Sequence, residues 1–259
     1  MFRELLIYNV GKKKIRLGPK KDGGYVVLKK FSKSIDALFS FGIENNVDFE
    51  IDFQKRFLPK KICLYDHTIS SLPKKKKNFI FFKKGLASVK KKSFLTLNNI
   101  AQELDSNNNF LKLDIEFDEW DVFESVYERN LLKFNQIICE FHFFFLKYED
   151  VDKQNILTPY FKKFSINNYK KINKSLFNKY QNVLSKINKN FYIFHISANN
   201  SLPSIKVFGK NIPQLLEISF VRKDLIKNIS LFKGILPIKN LDFPNKSYKD
   251  DIINFYPFK

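Results

Sequence analysis

Apolar and polar residues alternate with two different periods along this chain. From about Asp36 onward, short runs rich in β-branched and aromatic residues are separated by stretches whose apolar residues recur at helical spacing. This alternation is typical of βαβ units and a mostly parallel sheet. The apolar runs predict seven strands, at residues 37–41, 61–65, 78–83, 110–115, 136–141, 191–196 and 215–221. Seven such runs predict a doubly wound α/β sheet, mostly parallel, with an antiparallel edge strand.

Helices are predicted between these strands. Aromatic and aliphatic residues at helical spacing predict helices within residues 46–57, 96–104 and 119–130. The polar stretch 152–189, rich in lysine and asparagine, predicts two more, one from Leu157 to Phe164 and one from Leu176 to Ile187. An insertion of this size before a strand often shapes or covers a substrate site.

The two flanking segments lack this alternation. The N-terminal segment 1–36 contains the pair Gly23 and Gly24, which predicts a tight turn before a short strand. The C-terminal extension 223–259 has three prolines and little periodicity, so we expect irregular structure on the surface. Because no repeat or linker divides the sequence, we expect a single domain over 1–259 with its core at 37–222.

The chain is strongly basic, with a formal net charge of +20. Of its 46 basic residues only five are arginines, and the other 41 are lysines. Arginine is the residue favoured for bidentate contacts with phosphate or guanine, so an excess of lysine alone predicts solvated surface and no specific nucleic-acid site. Peripheral contact with an acidic membrane face, or attraction of an anionic substrate, is also compatible with this charge.

The cysteines and the apolar runs exclude several other classes. Cys63 and Cys139 both lie inside apolar runs, which predicts buried thiols and argues against a disulfide or metal framework. No N-terminal stretch has the pattern of a signal peptide, and no apolar run is long enough to span a bilayer. We therefore expect a cytoplasmic protein without a transmembrane segment.

Ionisable side chains gather at the ends of the predicted strands. All three histidines lie at or near such ends, namely His67, His142 and His195. Four acids have the same placement: Asp66, Asp114, Glu116 and Glu140. Ligands of open α/β sheets bind outside the carboxyl ends of the strands, so these groups predict one binding crevice. Imidazoles buried in the core, and acids that cap the helix after the fourth strand, are the structural alternatives.

A turn rich in small residues follows the first predicted strand. Ser40, Gly42, Asn45 and Asn46 lie where Rossmann-like folds bind a nucleotide, but the G-x-G-x-x-G pattern is absent. This favours a cofactor that has a nucleoside and no phosphates. Asp66, after the second strand, has the position of an acid that binds ribose hydroxyls, although acids are also common turn residues.

Seven short segments, taken in order, resemble a known enzyme group. They are DGGYVVL, SFGIENNVDFE, YDHT, LKLDIEFDEWDVF, ICEFH, HISANN and PQLLEISFVR, between about Arg16 and Arg222. Their order resembles the FkbM-type, methyltransferase-like group of S-adenosylmethionine-dependent enzymes, and the D-I-E-x-x-E-W element at Asp114 to Trp120 is its most specific part. The resemblance implies a class I methyltransferase (Rossmann-like) sheet and S-adenosyl-L-methionine as cofactor.

The resemblance also implies roles for individual residues. The Ser40 to Asn45 turn would lie near the methionine part of the cofactor, Asp114 would face the sulfonium, and Gly85 and Leu86 would lie near the adenine. The implied cofactor-binding residues are Asp22, Gly23, Gly24, Tyr25, Ser40, Gly42, Ile43, Asn45, Glu50, Asp66, His67, Thr68, Gly85, Leu86 and Asp114. The implied substrate-binding residues are Glu116, Glu140, Asn199 and Asn200.

Methyl transfer to a hydroxyl raises the question of its proton. Because an alcohol is a far weaker acid than the groups that titrate near neutral pH, the reaction needs a general base or a metal. His142 or His195 could accept the proton, with Asp114 as a third candidate catalytic residue. Alternatively, a divalent metal ion could be bound by Asp114, Glu116, Glu140 and His142. An anionic acceptor would need neither.

The sequence therefore predicts an S-adenosylmethionine-dependent O-methyltransferase. The acceptor implied by the resemblance is a small polar molecule, such as a sugar or phosphorylated precursor of a surface or capsule polysaccharide. The alternatives are a nucleic-acid methyltransferase, favoured only by the basic charge, and a non-catalytic binding module. Two departures from the group favour the latter: Phe117 where a glycine is usual, and Ser197 where a histidine is expected.

Overall fold

A seven-stranded sheet forms the centre of the molecule. The structure is a computed structural model that describes residues 3–30, 34–143, 165–166, 173–207 and 209–246. The strands are β1 (Ala37–Phe41), β2 (Lys61–Tyr65), β3 (Phe79–Phe82), β4 (Asn109–Leu113), β5 (Phe134–His142), β6 (Phe191–Ala198) and β7 (Leu215–Arg222). Their order across the sheet is β6-β7-β5-β4-β1-β2-β3. All seven predicted strands are confirmed, with ends that differ by at most two residues.

The antiparallel strand does not lie at the edge, so this part of the prediction was wrong. Strand β7 pairs antiparallel with β5 on one side and with β6 on the other, which leaves β6 as the edge strand. Residues 199–214 join β6 to β7, and their described part contains no crossover helix, as antiparallel neighbours allow. All eight residues of β7 are buried, which fits an interior strand.

Five helices accompany the sheet in the described part of the chain. They are α1 (Asp48–Phe57), α2 (Leu97–Gln102), α3 (Glu119–Ser125), α4 (Glu128–Leu131) and α5 (Lys174–Asn190). The predicted helix at 119–130 is divided in two, because Val126 and Tyr127 adopt extended backbone between α3 and α4. Helix α5 confirms the second helix predicted in the insertion, whereas residues 157–164 lie outside the described residues.

The helices cover both faces of the sheet. On one face, Trp120 of α3 and Tyr180 of α5 stack at 4.2 Å and join a core that also includes α2 and α4. On the other face, Phe49 and Phe53 of α1 pack with the N-terminal hairpin. This is the layered arrangement of α/β proteins, compatible with a Rossmann-like fold.

Shorter elements surround this core. The predicted turn at Gly23 and Gly24 is confirmed, because Lys14–Leu17 and Tyr25–Leu28 pair as an antiparallel hairpin. Other short strands are Tyr8–Asn9 paired with Ser230–Leu231, Gly85–Leu86 paired with Phe94–Leu95, and Ser165–Ile166 with Ile205–Val207 and Lys210–Ile212. Short 3₁₀ helices occur at Arg3–Leu5 and Lys223–Leu225. Among the described residues, no helix has both the length and the apolar character needed to cross a bilayer.

Candidate active site

Two adjoining cavities lie at the carboxyl edge of the parallel strands. The larger has a volume of about 630 Å³ and the smaller about 170 Å³. Gly42, Glu44, Asp114 and Glu116 line both of them. The ends of β1 and β4 therefore form the boundary between the two cavities, as expected for ligand sites in open α/β sheets.

Most of the predicted site residues line these cavities. Those at the larger cavity are Asp22, Gly23, Tyr25, Gly42, Ile43, Asn45, Glu50, Asp114, Glu116, Glu140, His142 and Asn199. Those at the smaller cavity are Gly42, Asp66, His67, Thr68, Gly85, Leu86, Asp114 and Glu116. The residues implied for the adenine, Gly85 and Leu86, thus line the smaller cavity, and the substrate residues Glu140 and Asn199 line the larger one.

The turn after β1 requires a glycine. Gly42 has φ +73°, and a Cβ built on it would lie 1.6 Å from the carbonyl oxygen of Asp114. A side chain at this position would therefore collide with the backbone at the end of β4. The close approach is what allows Glu44 and Asp114 to border the same cavities.

Asp66 fixes this turn from β2. Its Oδ2 accepts hydrogen bonds from the amides of Ile43 (3.0 Å) and Glu44 (2.8 Å), and its Oδ1 accepts two from Thr68 (2.7 and 2.6 Å). Burial opposes the charged form, but these hydrogen bonds, that of the Thr68 hydroxyl first, lower the pKa of Asp66. A carboxylate has about four acceptor positions, and here all are used. The expected role of Asp66 in binding ribose hydroxyls therefore lacks a vacant acceptor.

Glu44 has an exposed carboxylate at both cavities, whereas the carboxylate of Asp66 is buried. It is exposed, lines both cavities and has a left-handed backbone with φ 46°. Partial burial and the nearby carboxylates, Glu116 first among them, raise the pKa of Glu44. Glu44 was not among the predicted site residues, although its position two residues after Gly42 is a signal that points to it.

A tyrosine and a lysine hold Asp114 at the boundary. The Tyr25 hydroxyl donates to Asp114 Oδ2 at 2.8 Å. Lys112 Nζ donates to the Gly42 carbonyl at 3.1 Å and lies 5.2 Å from the centre of the Tyr25 ring. Burial raises the pKa of Asp114, and the neighbouring Lys112 opposes this rise. Asp114 is thus a partly buried carboxylate at the junction of the two cavities.

His142 lies among three carboxylates. Its Nδ1 is 3.0 Å from Glu119 Oε1, and its Nε2 is 3.2 Å from Glu116 Oε2 and 3.8 Å from Glu140 Oε1. Burial alone would lower the pKa of His142, but the hydrogen bonds to Glu116 and Glu119 raise it to about 11. These contacts favour the imidazolium form near neutral pH, which has no nitrogen able to accept a proton. The role of His142 as a base stays a prediction.

The metal site predicted from Asp114, Glu116, Glu140 and His142 stays a prediction. In the structure, Nε2 of His142 faces Glu116 and Glu140, and its Nδ1 faces Glu119. Across the described ranges, no three His, Cys, Asp or Glu side chains are grouped so that they could hold a metal ion. The set of Asp114, Glu116, Glu140 and His142 is an ion-pair cluster.

A strained turn carries Glu116 into this cluster. Glu116 and Phe117 have φ values of 51° and 80°, in the left-handed region that glycine adopts most easily. The buried Glu119 Oε1 lies 3.3 Å from the Phe117 amide, and the Phe117 ring packs 4.5 Å from the His142 ring. Glycine would adopt this backbone with less strain than phenylalanine.

Glu140 belongs to a row of buried polar groups across three strands. Glu140 on β5 lies opposite Glu217 on β7, which in turn lies opposite Ser197 on β6. Asn199 Nδ2 donates to Glu140 Oε2 at 2.9 Å. Burial first, and the adjacent Asp114 second, raise the pKa of Glu140 well above its usual range. Burial also raises the pKa of Glu217 to about 8.

The sheet topology explains why Glu217 was not predicted to lie near the carboxyl edge. It lies near the start of β7, and the antiparallel direction of this strand brings its amino end to the carboxyl edge of the others. Asn245, from the C-terminal extension, donates to Glu217 at 3.1 Å and to Asp22 at 3.0 Å. No local pattern in the sequence marks either residue.

Four predicted site residues do not line the two cavities. Ser40 is buried and donates to Glu50 Oε1 at 2.6 Å, so it orients a residue that does line the larger cavity. Gly24 lies against the Pro19 carbonyl and Arg16. Asn200 exchanges hydrogen bonds of 3.0 and 2.8 Å with the backbone of Lys246.

His195 is the fourth of these residues. It is 1% exposed, and its Nε2 lies 2.7 Å from Asp242 Oδ1 in the C-terminal extension. Burial lowers the pKa of His195, against the opposing effect of Asp242. The prediction that it acts as a catalytic base conflicts with this position, because a base must reach the reacting proton.

No protein-family model matches the chain, and no curated protein matches it. A solved structure of a "putative hemolysin" from Streptococcus thermophilus aligns with 80% of this chain and 74% of its own, at 10% identity and a TM-score of 0.39. Similarity at this level does not show a shared fold or function.

Proposed function

We propose that this protein is an S-adenosylmethionine-dependent methyltransferase that acts on a small polar acceptor. The observation that carries the proposal is the pair of cavities divided by Gly42, Glu44 and Asp114. A donor bound across this boundary would have its nucleoside in one cavity and its reacting end in the other. The seven-stranded sheet with one antiparallel strand supports the class I methyltransferase fold that the resemblance implies.

The smaller cavity fits the nucleoside part of this cofactor. Its walls include the rings of Tyr65 and Phe94 and the side chain of Leu86, which suit a flat base. Glu44, exposed beside this cavity, is the carboxylate that we assign to the ribose hydroxyls in place of Asp66. Asp66 retains an indirect role, because it holds the amide of Glu44.

The boundary fits a positively charged sulfur. S-adenosylmethionine, when bound, supplies a methyl group on a sulfonium, which is an electrophile with a full positive charge. Asp114 is partly buried at the boundary, and Glu116 and Glu140 line the larger cavity beside it. Carboxylates in a site of low dielectric constant attract such a cation strongly. The local excess of acids is notable in a chain whose net charge is +20.

The larger cavity provides groups for a polar acceptor. Asn199 can donate hydrogen bonds from its side-chain amide, and Glu140 can accept them. Because the pKa of Glu140 is raised well above its usual range, its carboxylate is a stronger base than an ordinary one. We assign to Glu140, instead of His142 or His195, the role of receiving the proton from an acceptor hydroxyl. A sugar or phosphorylated sugar precursor is the acceptor class that we propose.

Calorimetric titration tests the cofactor part of this proposal. We expect S-adenosylmethionine and its demethylated product, S-adenosylhomocysteine, to bind the wild type. Asp114→Asn should weaken the cationic donor about tenfold and the uncharged product less, because the removed carboxylate faces only the charged sulfur. Glu44→Gln should weaken both ligands alike.

The control variant is Glu103→Gln, which removes an exposed acid away from both cavities. It should leave both affinities unchanged. Failure of the wild type to bind either ligand would contradict the proposal and favour a non-catalytic module. Equal weakening of both ligands by Asp114→Asn would contradict the assignment of Asp114 to the sulfonium.

A further inference from the structure

One segment of this basic chain contains no acid at all. Residues 67–102 include nine lysines and no aspartate, glutamate or arginine. The lysines form three groups: Lys74 to Lys77, Lys83 with Lys84, and Lys90 to Lys92. The whole chain has 26 acids, yet none of them lies in this segment. The high lysine content of the chain therefore does not by itself explain why the segment carries charge of one sign only.

The fold places these three groups around the outer strand of the sheet. Strand β3 is the last strand on its side, and the lysines precede it, follow it directly and lie in the next loop. We call residues 74–92 the lysine-rich edge. Eight of its nine lysines are exposed, and within the described residues only Lys74 forms an ion pair, with Asp48 at 2.6 Å.

Apolar side chains are exposed within the same edge. Ile80 is 43% exposed, Phe82 37% and Val89 57%. Phe79 and Phe81, which alternate with them, pack toward α1 on the other face of the sheet. Phe82 is the outer ring of a stack with Tyr65 at 4.7 Å, so the apolar surface continues from the interior to the outside. A folded protein rarely leaves such groups together on its surface without a partner.

We propose that the lysine-rich edge binds the protein to an anionic phospholipid surface. Lysines attract acidic headgroups, while Ile80, Phe82 and Val89 can enter the boundary between headgroups and acyl chains. Long lysine side chains suit this arrangement, because their methylene stems lie on apolar surface while the amines reach the headgroups. This proposal does not depend on the methyltransferase activity.

The same edge is a poorer match for nucleic acid. The segment contains no arginine, the residue best suited to bidentate phosphate contacts and to stacking on bases. Of its three exposed apolar side chains, only Phe82 is aromatic. Ile80 and Val89 are aliphatic and cannot stack on bases. Charge and apolar character together therefore favour a lipid surface.

Vesicle sedimentation tests the proposal with the full chain. We expect binding to vesicles of mixed phosphatidylcholine and phosphatidylglycerol and none to phosphatidylcholine alone. The triple variant Lys75→Gln, Lys76→Gln, Lys77→Gln should weaken binding at least about tenfold, since each lysine near an acidic surface contributes to the attraction. The control triple Lys227→Gln, Lys233→Gln, Lys239→Gln removes the same charge from exposed positions elsewhere and should change binding less than about twofold.

Apolar substitutions test insertion separately from charge. Ile80→Asn with Val89→Asn should weaken binding to the mixed vesicles, whereas Ile235→Asn, at a residue 78% exposed outside the edge, should not. Thermal unfolding of each variant checks that it folds. Equal losses in the two lysine triples would overturn the proposal, because net charge alone would then explain binding. Tighter binding to a single-stranded oligonucleotide than to the mixed vesicles, lost in the same edge variants, would overturn it in favour of nucleic acid.

Discussion

At the scale of single residues, the site depends on a few positions with unusual backbone or charge. Gly42 allows β1 to approach the Asp114 carbonyl, and Phe117 adopts a conformation that suits glycine. The unusual feature of His142 is its charge environment, because three carboxylates lie within 4 Å of its ring nitrogens. At Phe117 the backbone, and at His142 the charge, depart from what the residue alone would favour. Both departures give direct predictions.

The first concerns the backbone strain at Phe117. Phe117→Ala and Phe117→Gly both remove the ring that packs on His142, but only glycine adopts φ 80° without strain. We expect the glycine variant to be more stable than the alanine variant by about 1 kcal/mol. Urea unfolding of both variants measures the difference. An alanine variant as stable as the glycine variant would contradict strain at this position.

The second concerns the charge of His142. Because its folded pKa of about 11 lies above the unfolded value of 6.5, its stabilising contribution is complete below the unfolded value and is lost as pH rises toward about 11. In NMR titration, the ring resonances of His142 should not shift between about pH 5 and about pH 9.

Two variants complete this measurement. His142→Gln identifies the resonance, and Glu119→Gln should lower the pKa of His142 by about one unit or more, since it removes a carboxylate 3.0 Å from Nδ1. Titration of the wild-type ring near pH 6.5 would show that His142 is neutral at physiological pH and would favour it as a candidate base.

At the scale of elements, the C-terminal extension completes the site. Its residues 226–246 cross the N-terminal hairpin, where the Arg16 guanidinium donates to the Leu241 carbonyl at 3.2 Å. Asn245 and Lys246 then line the larger cavity. The predicted irregular structure is confirmed over the described part of this extension, apart from the short elements near its start. Buried polar contacts, more than regular structure, hold it in place.

The pair His195 and Asp242 gives the prediction for this element. Burial would raise the pKa of Asp242, but its hydrogen bond with His195 lowers it, so its contribution is present above the unfolded pKa of about 3.8 and is lost as pH falls. At neutral pH, Asp242→Asn should lower the free energy of unfolding by about 3 kcal/mol, because it breaks a buried pair.

Its control is Asp224→Asn, which removes an exposed carboxylate from its pair with Arg222 and should cost less than about 1 kcal/mol. Urea unfolding measures both variants, and limited proteolysis reports whether residues 226–246 are released. Similar small losses in the two variants would contradict an anchoring role for Asp242.

At the scale of the whole molecule, charge is distributed very unevenly. The cavities concentrate Asp114, Glu116 and Glu140 at the carboxyl edge, whereas the lysine-rich edge contains no acid. A cationic cofactor and an anionic surface would therefore be attracted to different parts of one protein. Net charge alone could not have distinguished these two regions.

The sequence by itself determined the strands, because hydrophobic periodicity is a local property of the chain. It also determined which strand ends carry ionisable groups, so most predicted residues line one pair of cavities. Gly42 could be found in this way, because a small residue directly after a strand is visible without any partner.

Only the tertiary structure decided what these groups do. The raised pKa of His142, the filled acceptors of Asp66 and the position of Glu217 opposite Glu140 depend on partners from other strands and on the direction of β7. The same is true of His195, which the C-terminal extension covers. Sequence patterns fix neighbours within a turn of helix or a strand, whereas electrostatic state depends on every charge within a few ångströms, whatever its distance along the chain.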